Sequence, residues 1–287
     1  MFKNTFKTTV LLAALGGLIV AIAGLLGGGS SGSFTIGVGI ALVMVGGSYW
    51  FSDRLALASA KATVIERHEA PQFYDMVESL ARRAGLPMPR VAISPSDQPN
   101  AFATGRGPSK AVVCATRGLL ESMPPREVEA VMAHELMHVK HRDILIGSVA
   151  AAIATAISYI AQMAMFASMF AGGRDDEDRP NPIAMLLMSL LAPIAASLIQ
   201  MAVSRSREFE ADRGAAELLG NGHSLADALE RIETLAARRP MMVAPAQAQA
   251  YIHNPLSELR GGRNAGLARL FSTHPATEER IARLRAM

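Results

Sequence analysis

Four stretches of the chain carry no charged side chain, and each is long enough to cross about 30 Å of hydrocarbon as a helix, which takes roughly 20 residues. They run from Thr9 to Gly27, Phe34 to Phe51, Ile144 to Phe170 and Ile183 to Val203. Between and after them the pattern changes period. Helical spacing of apolar positions predicts a helix over about Pro71 to Ala84. Short apolar runs at Arg90–Ser94, Ala101–Thr104 and Ala111–Ala115 are punctuated by Pro95, Pro99, Gly105, Gly107 and Pro108, and predict the strands of a small sheet. Pro125 suits the first position of a further helix, with Glu127 and Glu129 in the early turns that favour acids. Beyond Val203 a helix runs through Leu219 and stops at Gly220, Asn221 and Gly222. The next takes Ser224 as its N-cap, and a last one opens at Pro275. No repeat of 20 to 50 residues is visible.

This pattern divides the chain into an N-terminal transmembrane hairpin (1–52), a first polar part (53–143), a second transmembrane hairpin (144–203) and a second polar part (204–287). The two polar parts make one catalytic domain split by the second hairpin. The expected fold class is a mainly α integral membrane protein with four transmembrane helices and a soluble domain containing a small β-sheet. Composition agrees: 50% of the 287 residues are hydrophobic and 18% charged, against roughly 25% charged in an ordinary globular chain, and mean hydropathy is +0.24. That excludes a disordered chain and an ordinary soluble one.

Charge placement sets the orientation. Lys3 and Lys7 precede the first span, Arg54, Lys61 and Arg67 follow the second, Lys140 and Arg142 precede the third, and Arg205, Arg207 and Arg213 follow the fourth. The other side receives a glycine-serine turn and a loop in which Asp175, Asp176, Glu177 and Asp178 outnumber Arg174 and Arg179. The positive-inside rule therefore places both termini and the polar domain in the cytoplasm. A competing reading of the start is a cleaved signal peptide with Ala21-Ile22-Ala23 before the cut, but the apolar run overshoots the usual 7 to 15 residues. The net charge of +3 lacks the dense basic stripe with interleaved aromatics of a nucleic-acid binder, so no nucleic-acid partner is expected. A lone cysteine, Cys114, rules out an intramolecular disulfide and a thiolate zinc cluster; it reads as a buried strand residue.

The chemistry lies in His134-Glu135-Leu136-Met137-His138. Four residues apart on a helix, the two imidazoles share one face and can bind one zinc ion, with Glu135 beside them to deprotonate a water. Two plain surface histidines are the alternative. A hydrolytic zinc takes three protein ligands, and two residues compete for the third place. His141 is near in sequence, but three ligands from one straight helix would be strained. Glu208 is distant, yet two membrane crossings separate it from His138, so both helix ends emerge on the same face. Asp212, one turn beyond Glu208, can accept the remaining N–H of a zinc-bound imidazole, or else pairs at the surface with Arg213 or Arg207.

Taken with Glu208-Phe209-Glu210-Ala211-Asp212, Asn100-Ala101-Phe102-Ala103-Thr104-Gly105 and Ser272-Thr273-His274-Pro275, this motif resembles the HtpX-type heat-shock membrane zinc metalloproteases, relatives of the CAAX prenyl protease. The resemblance covers nearly the whole chain. It implies a bacterial inner-membrane endopeptidase of membrane-protein quality control, with a gluzincin-type zinc site on the cytoplasmic face, membrane or unfolded polypeptides as substrates, and functional overlap with the FtsH protease. It assigns His134, His138 and Glu208 as zinc ligands, Glu135 as general base, and Asn100, Ala101, Phe102 and Ala103 as a substrate-binding edge strand. One departure is Pro124, which stands where a Ser or Thr would cap the zinc helix.

The expected reaction is zinc-assisted hydrolysis of peptide bonds. The resulting oxyanion calls for a protein donor, and His274, a position where the family carries a histidine, is the candidate; the other reading is that His274 only caps the last helix. A transporter component is the rival class, weakened because no span contains Asp, Glu, Lys, Arg or His, and Gln162 and Gln200 are the most polar span residues. A metal-bound scaffold without activity has no use for Glu135. His68, His223 and His253 read as surface or loop histidines.

Overall fold

The computed structural model describes residues 30–145, 205–238, 251–253 and 275–287, with isolated positions between 10 and 20. The span expected at 183–203, all but the first two residues of that at 144–170, most of the first span, and His274 lie outside the described residues. The second falls in α1 (Ser31–Ser59), which leaves Ile36, Leu42 and Val43 between 64% and 75% exposed. Its halves Phe34–Gly47 and Tyr49–Ser59 meet at 61°, at Gly47-Ser48, a glycine-serine pair of the kind at which helices kink. Among the described residues no single helix is long and apolar enough to cross a membrane; this bent pair reaches the required length and composition together.

Beyond α1 come β1 (Thr63–Val64), α2 (Pro71–Ala84), β2 (Arg90–Ser94), β3 (Ala101–Thr104) and β4 (Val112–Thr116). They are followed by α3 (Arg117–Ser122), α4 (Pro125–His141), α5 (Arg205–Leu219), α6 (His223–Ala236) and α7 (Thr277–Arg285). The sheet order is β1-β2-β4-β3, with β2 and β4 parallel and the other pairs antiparallel. β4 is buried along its whole length, as the unbroken run Val112-Val113-Cys114-Ala115 requires of a strand covered on both faces. Cys114 is there as expected, and burial pushes its thiol far up. β3 forms one edge. The turn from β3 to β4 needs Gly105 at φ +124°, where a side chain would run into the carbonyl of Lys110.

Three boundaries differ from the sequence expectation. The third strand ends one residue later, because Thr116 both closes β4 and caps α3, an unanticipated helix, by accepting the Leu119 N–H at 3.2 Å. Ser224 is not the cap of α6: the helix starts at His223, and the Asn221 side chain accepts the Ser224 N–H at 3.3 Å. α7 begins at Thr277, two residues past Pro275, with Glu278 and Glu279 in its first turn. α2 keeps its expected limits. Pro71 opens it, Phe73, Val77, Leu80 and Ala84 form its core stripe, and Gly85 at φ +69° closes it.

α4 is the centre of the core. Val128, Val131, Met132 and Leu136 pack in one cluster with Leu80 of α2, Val113 of β4, Ala211 and Ala215 of α5, Leu225 and Ile232 of α6, and Leu284 of α7. Glu127, fully buried, is satisfied by a two-point contact with Arg231 (2.6 and 3.1 Å) that ties α4 to α6. α5 approaches α4 closely at Gly214, where any Cβ would press into Met137. That approach carries Glu208 and Asp212 to the zinc motif.

Candidate metal centre and active site

His134, Glu135 and His138 project from a helix with almost no exposed face. His134 is 1% exposed and Glu135 2%. The two rings meet edge to face with centroids 4.7 Å apart, which brings their Nε2 atoms to 3.1 Å. Glu208 completes the group from α5: Oε2 lies 3.8 Å from His134 Nε2 and Oε1 lies 3.6 Å from His138 Nε2. Among the described residues this is the one group of three ligand atoms that lie within 4.8 Å of one another. His141, in the last turn of α4, is not part of it.

The donor set fits zinc. A tetrahedral ion with bonds of about 2.0 to 2.1 Å spaces its ligand atoms about 3.3 Å apart, and the distances of 3.1, 3.6 and 3.8 Å lie close to that. Two ring nitrogens turned toward each other and a carboxylate, all nearly dry, need a shared partner that accepts lone pairs from all three.

Neighbours orient the ligands. Asp212 accepts the His134 Nδ1–H at 2.9 Å, which leaves the Nε2 lone pair toward the cluster. Asp212 pairs with neither Arg207 nor Arg213, the surface alternatives. Its partner is Arg280 of α7, which donates from Nε at 2.9 Å and Nη2 at 2.7 Å and is itself 2% exposed. Arg280 also lies 3.8 Å from Glu208 Oε2 through Nη1, so one buried cation faces both acids. On the other ligand, His138 Nδ1 is 3.5 Å from Asp143. The chain reaches Asp143 by a tight reversal after α4: Arg142 adopts φ +59°, and the Asp143 N–H returns to the His138 carbonyl at 2.9 Å. This αL cap is usually glycine; an arginine held there costs roughly 1 kcal/mol.

These surroundings separate the titration ranges. Burial drives the His134 imidazole down to about 4, against the pull of Asp212, so it is neutral and free to ligate. Burial also opposes charge on His138, but the Asp143 contact and the Glu208 and Glu135 carboxylates outweigh it and lift the ring to about 9. Burial raises Glu135 to about 7, with Glu208 adding to the effect and His138, Arg280 and the Ala103 N–H opposing it. Asp212, whose burial alone would raise it, is held at about 2 by Arg280 and His134.

The expected substrate strand is adjacent, and it is covered. Asn100, Ala101 and Phe102 are buried, and the outer edge of β3 carries residues 251–253: Phe102 pairs with Tyr251 as an antiparallel bridge, and the Ile252 N–H donates to the Ala101 carbonyl at 3.0 Å. The Asn100 amide donates to the His253 carbonyl at 2.8 Å and accepts its N–H at 3.2 Å. Arg280 Nη1 donates to the Ile252 carbonyl at 3.2 Å. His253, expected as a surface or loop histidine, lies in a bend but is buried, its main chain completing the Asn100 amide. His68 and His223 are exposed as expected.

A buried His-Glu-x-x-His helix, completed by a glutamate from a second helix and backed by an aspartate, is the site of a metalloprotease. Residues 67–287 match the model of Peptidase family M48. The chain belongs to Peptidase family M48. It is 54% identical over 288 residues to the Protease HtpX homolog of Burkholderia mallei (strain SAVP1), spanning 99% of this chain and 97% of that protein. The same figures hold for the Protease HtpX homolog of Burkholderia thailandensis. The crystal structure of S. mikatae Ste24p aligns with 99% of this chain and 66% of its own, at a TM-score of 0.49 and 21% identity.

Proposed function

We propose that the protein is a membrane-bound, zinc-dependent endopeptidase that hydrolyses membrane or unfolded polypeptides in quality control. The observation that carries this is the convergence of His134, His138 and Glu208 beside a buried Glu135 with a carboxyl near neutrality. His134, His138 and Glu208 would hold the ion. When bound, zinc supplies Lewis acidity toward the scissile carbonyl and toward water. Glu135 takes a proton from the attacking water at a carboxylate oxygen and returns it to the departing amine nitrogen, a role for which a carboxyl near pH 7 is suited. Asp212 fixes the His134 tautomer, and Arg280 keeps Asp212 ionised. His274 donates an N–H to the oxyanion.

Substrate main chain pairs with the edge at Asn100–Ala103. Since residues 251–253 lie on that edge, a polypeptide entering there exchanges hydrogen bonds with them at Asn100 and Ala101. The uncharged segments at 9–27, 34–51, 144–170 and 183–203 span the inner membrane, with both termini and the split protease domain cytoplasmic, and the protein overlaps functionally with the FtsH protease. The exposed apolar side chains of α1 support that placement.

The test is cleavage of casein by the full-length protein in detergent. Chelator should abolish cleavage and zinc restore it, while Glu135→Gln retains zinc and loses turnover. Substantial residual cleavage by that variant would sink the mechanism. Labelling of Arg174→Cys from the cytoplasmic side alone would overturn the topology.

A further inference from the structure

At the bend of α1 a cavity of about 520 Å³ opens between that helix and the β3–β4 turn. Along the helix its lining passes from Val43, Gly46 and Gly47 to Trp50 and Arg54, and Arg106 reaches in from the turn. The Arg106 guanidinium lies 4.3 Å over the Trp50 ring and 5.9 Å from that of Tyr49; Arg54 sits 5.5 Å over Phe51. Asp53, the acid in the lining, is engaged by Arg90. Among the described residues Arg54 and Arg106 have rings for partners and make no ion pair. The cavity is thus amphiphilic: an apolar groove left open by two glycines, a doubly cationic end, and aromatic rings at the change-over.

We propose that this cavity binds one anionic glycerophospholipid, its phosphate between Arg54 and Arg106 and an acyl chain along Val43, Gly46 and Gly47. The inference rests on the membrane-bound reading above. Guanidinium groups recognise phosphate oxygens by paired hydrogen bonds and are less tightly hydrated than ammonium groups, so they suit a partly apolar site. Tryptophan and tyrosine settle at headgroup level, where a phosphate would lie. Two cations and no unpaired acid favour a net-negative headgroup over a zwitterionic one, whose own cation would face them. Val43 is 75% exposed and Leu42 70%, so the groove opens onto an apolar surface continuous with acyl chains. Arg106 stands two residues beyond β3, so an occupied site fixes the turn that ends the proposed substrate edge at the membrane boundary.

Trp50 is the only tryptophan in the chain, which makes it a built-in reporter. The full-length protein is reconstituted in phosphatidylcholine vesicles, and dibrominated phosphatidylglycerol or dibrominated phosphatidylcholine is titrated in while Trp50 quenching is read. The expected preference for the anionic lipid is about fivefold for each engaged arginine. It should fall about fivefold in Arg106→Gln and toward parity when Arg54→Gln is added, persist in Lys110→Gln on the exposed end of the same turn, and be unaffected by inorganic phosphate. Equal quenching by both lipids in the unaltered protein overturns the site and leaves the membrane reading intact. Absence of quenching by either lipid overturns both. A Lys110→Gln loss equal to that of Arg106→Gln would mean diffuse surface charge, and displacement by inorganic phosphate would mean an anion site without a lipid; each overturns the proposal.

Discussion

Replacing Arg280 with methionine keeps most of the side-chain volume and removes the cation that faces Asp212 and Glu208. In the intact protein Arg280 donates twice to Asp212, once to the Ile252 carbonyl, and is 2% exposed. Its loss leaves a buried carboxylate whose burial is no longer compensated, and breaking such a pair from one side costs about 3 to 5 kcal/mol. For a domain of this size that is a fall in Tm on the order of 10 °C. Asp212 then moves up from about 2 as burial takes over, and once protonated it holds the His134 N–H only through a neutral, weaker hydrogen bond. Zinc affinity should drop about 10- to 100-fold, as for other lost partners of a ligand imidazole. Thermal unfolding of the zinc-loaded protein and zinc retention against a competing chelator measure the two effects. The double variant Arg280→Met with Asp212→Asn removes the stranded charge and should be more stable than Arg280→Met alone. Strict additivity, or an Arg280→Met protein within about 0.5 kcal/mol of the parent, would refute the account.

Glu208→Ala should lower zinc occupancy more than His141→Ala, since His141 is outside the ligand cluster; the reverse ranking in metal analysis would mean the wrong third ligand. Zinc affinity of the metal-free protein should rise about tenfold per pH unit from pH 7 toward 9 and then flatten. The sign follows from His138, whose raised value of about 9 means that below it a proton must leave before the ring can ligate; a flat profile by competition titration would contradict it. His274→Ala should lower kcat by roughly 10² to 10³ with zinc content unchanged if the side chain is the oxyanion donor; α7 takes Ala276 rather than His274 as its N-cap, and a residue that only supported the approach to that helix would lower stability and spare kcat. Parallel turnover and melting measurements distinguish the two.

The residues whose roles depend on helical spacing were legible in the chain. His134 and His138 share a face by arithmetic, and Glu208 and Asp212 follow one turn apart. Glu208 is matched to the motif on the expectation of two membrane crossings between them, and the structure brings it to His134 and His138. The residues that answer these ligands were not legible, because nothing local marks them. Arg280 lies 68 positions from the aspartate it serves, in a helix that reads as an ordinary charged amphipath; its one signal is that it shares the buried stripe with Leu284, where an arginine is out of place. Asp143 looked like a flank of a membrane span, and only the left-handed turn at Arg142 aims it back at His138. β1 has two residues and α3 six, too short for any period to register. The pairing of 251–253 with β3 joins positions about 150 apart through a single bridge.

That pairing also bears on how the molecule behaves in company. A bare sheet edge is a template on which any extended chain, including a second copy, can add a strand and begin to aggregate. Here the far margin is β1, only two residues long, and the near margin is clothed by Tyr251, Ile252 and His253. The molecule thus keeps its own adhesive border wrapped, and the wrapping comes from three residues far along the chain from the strand they shield.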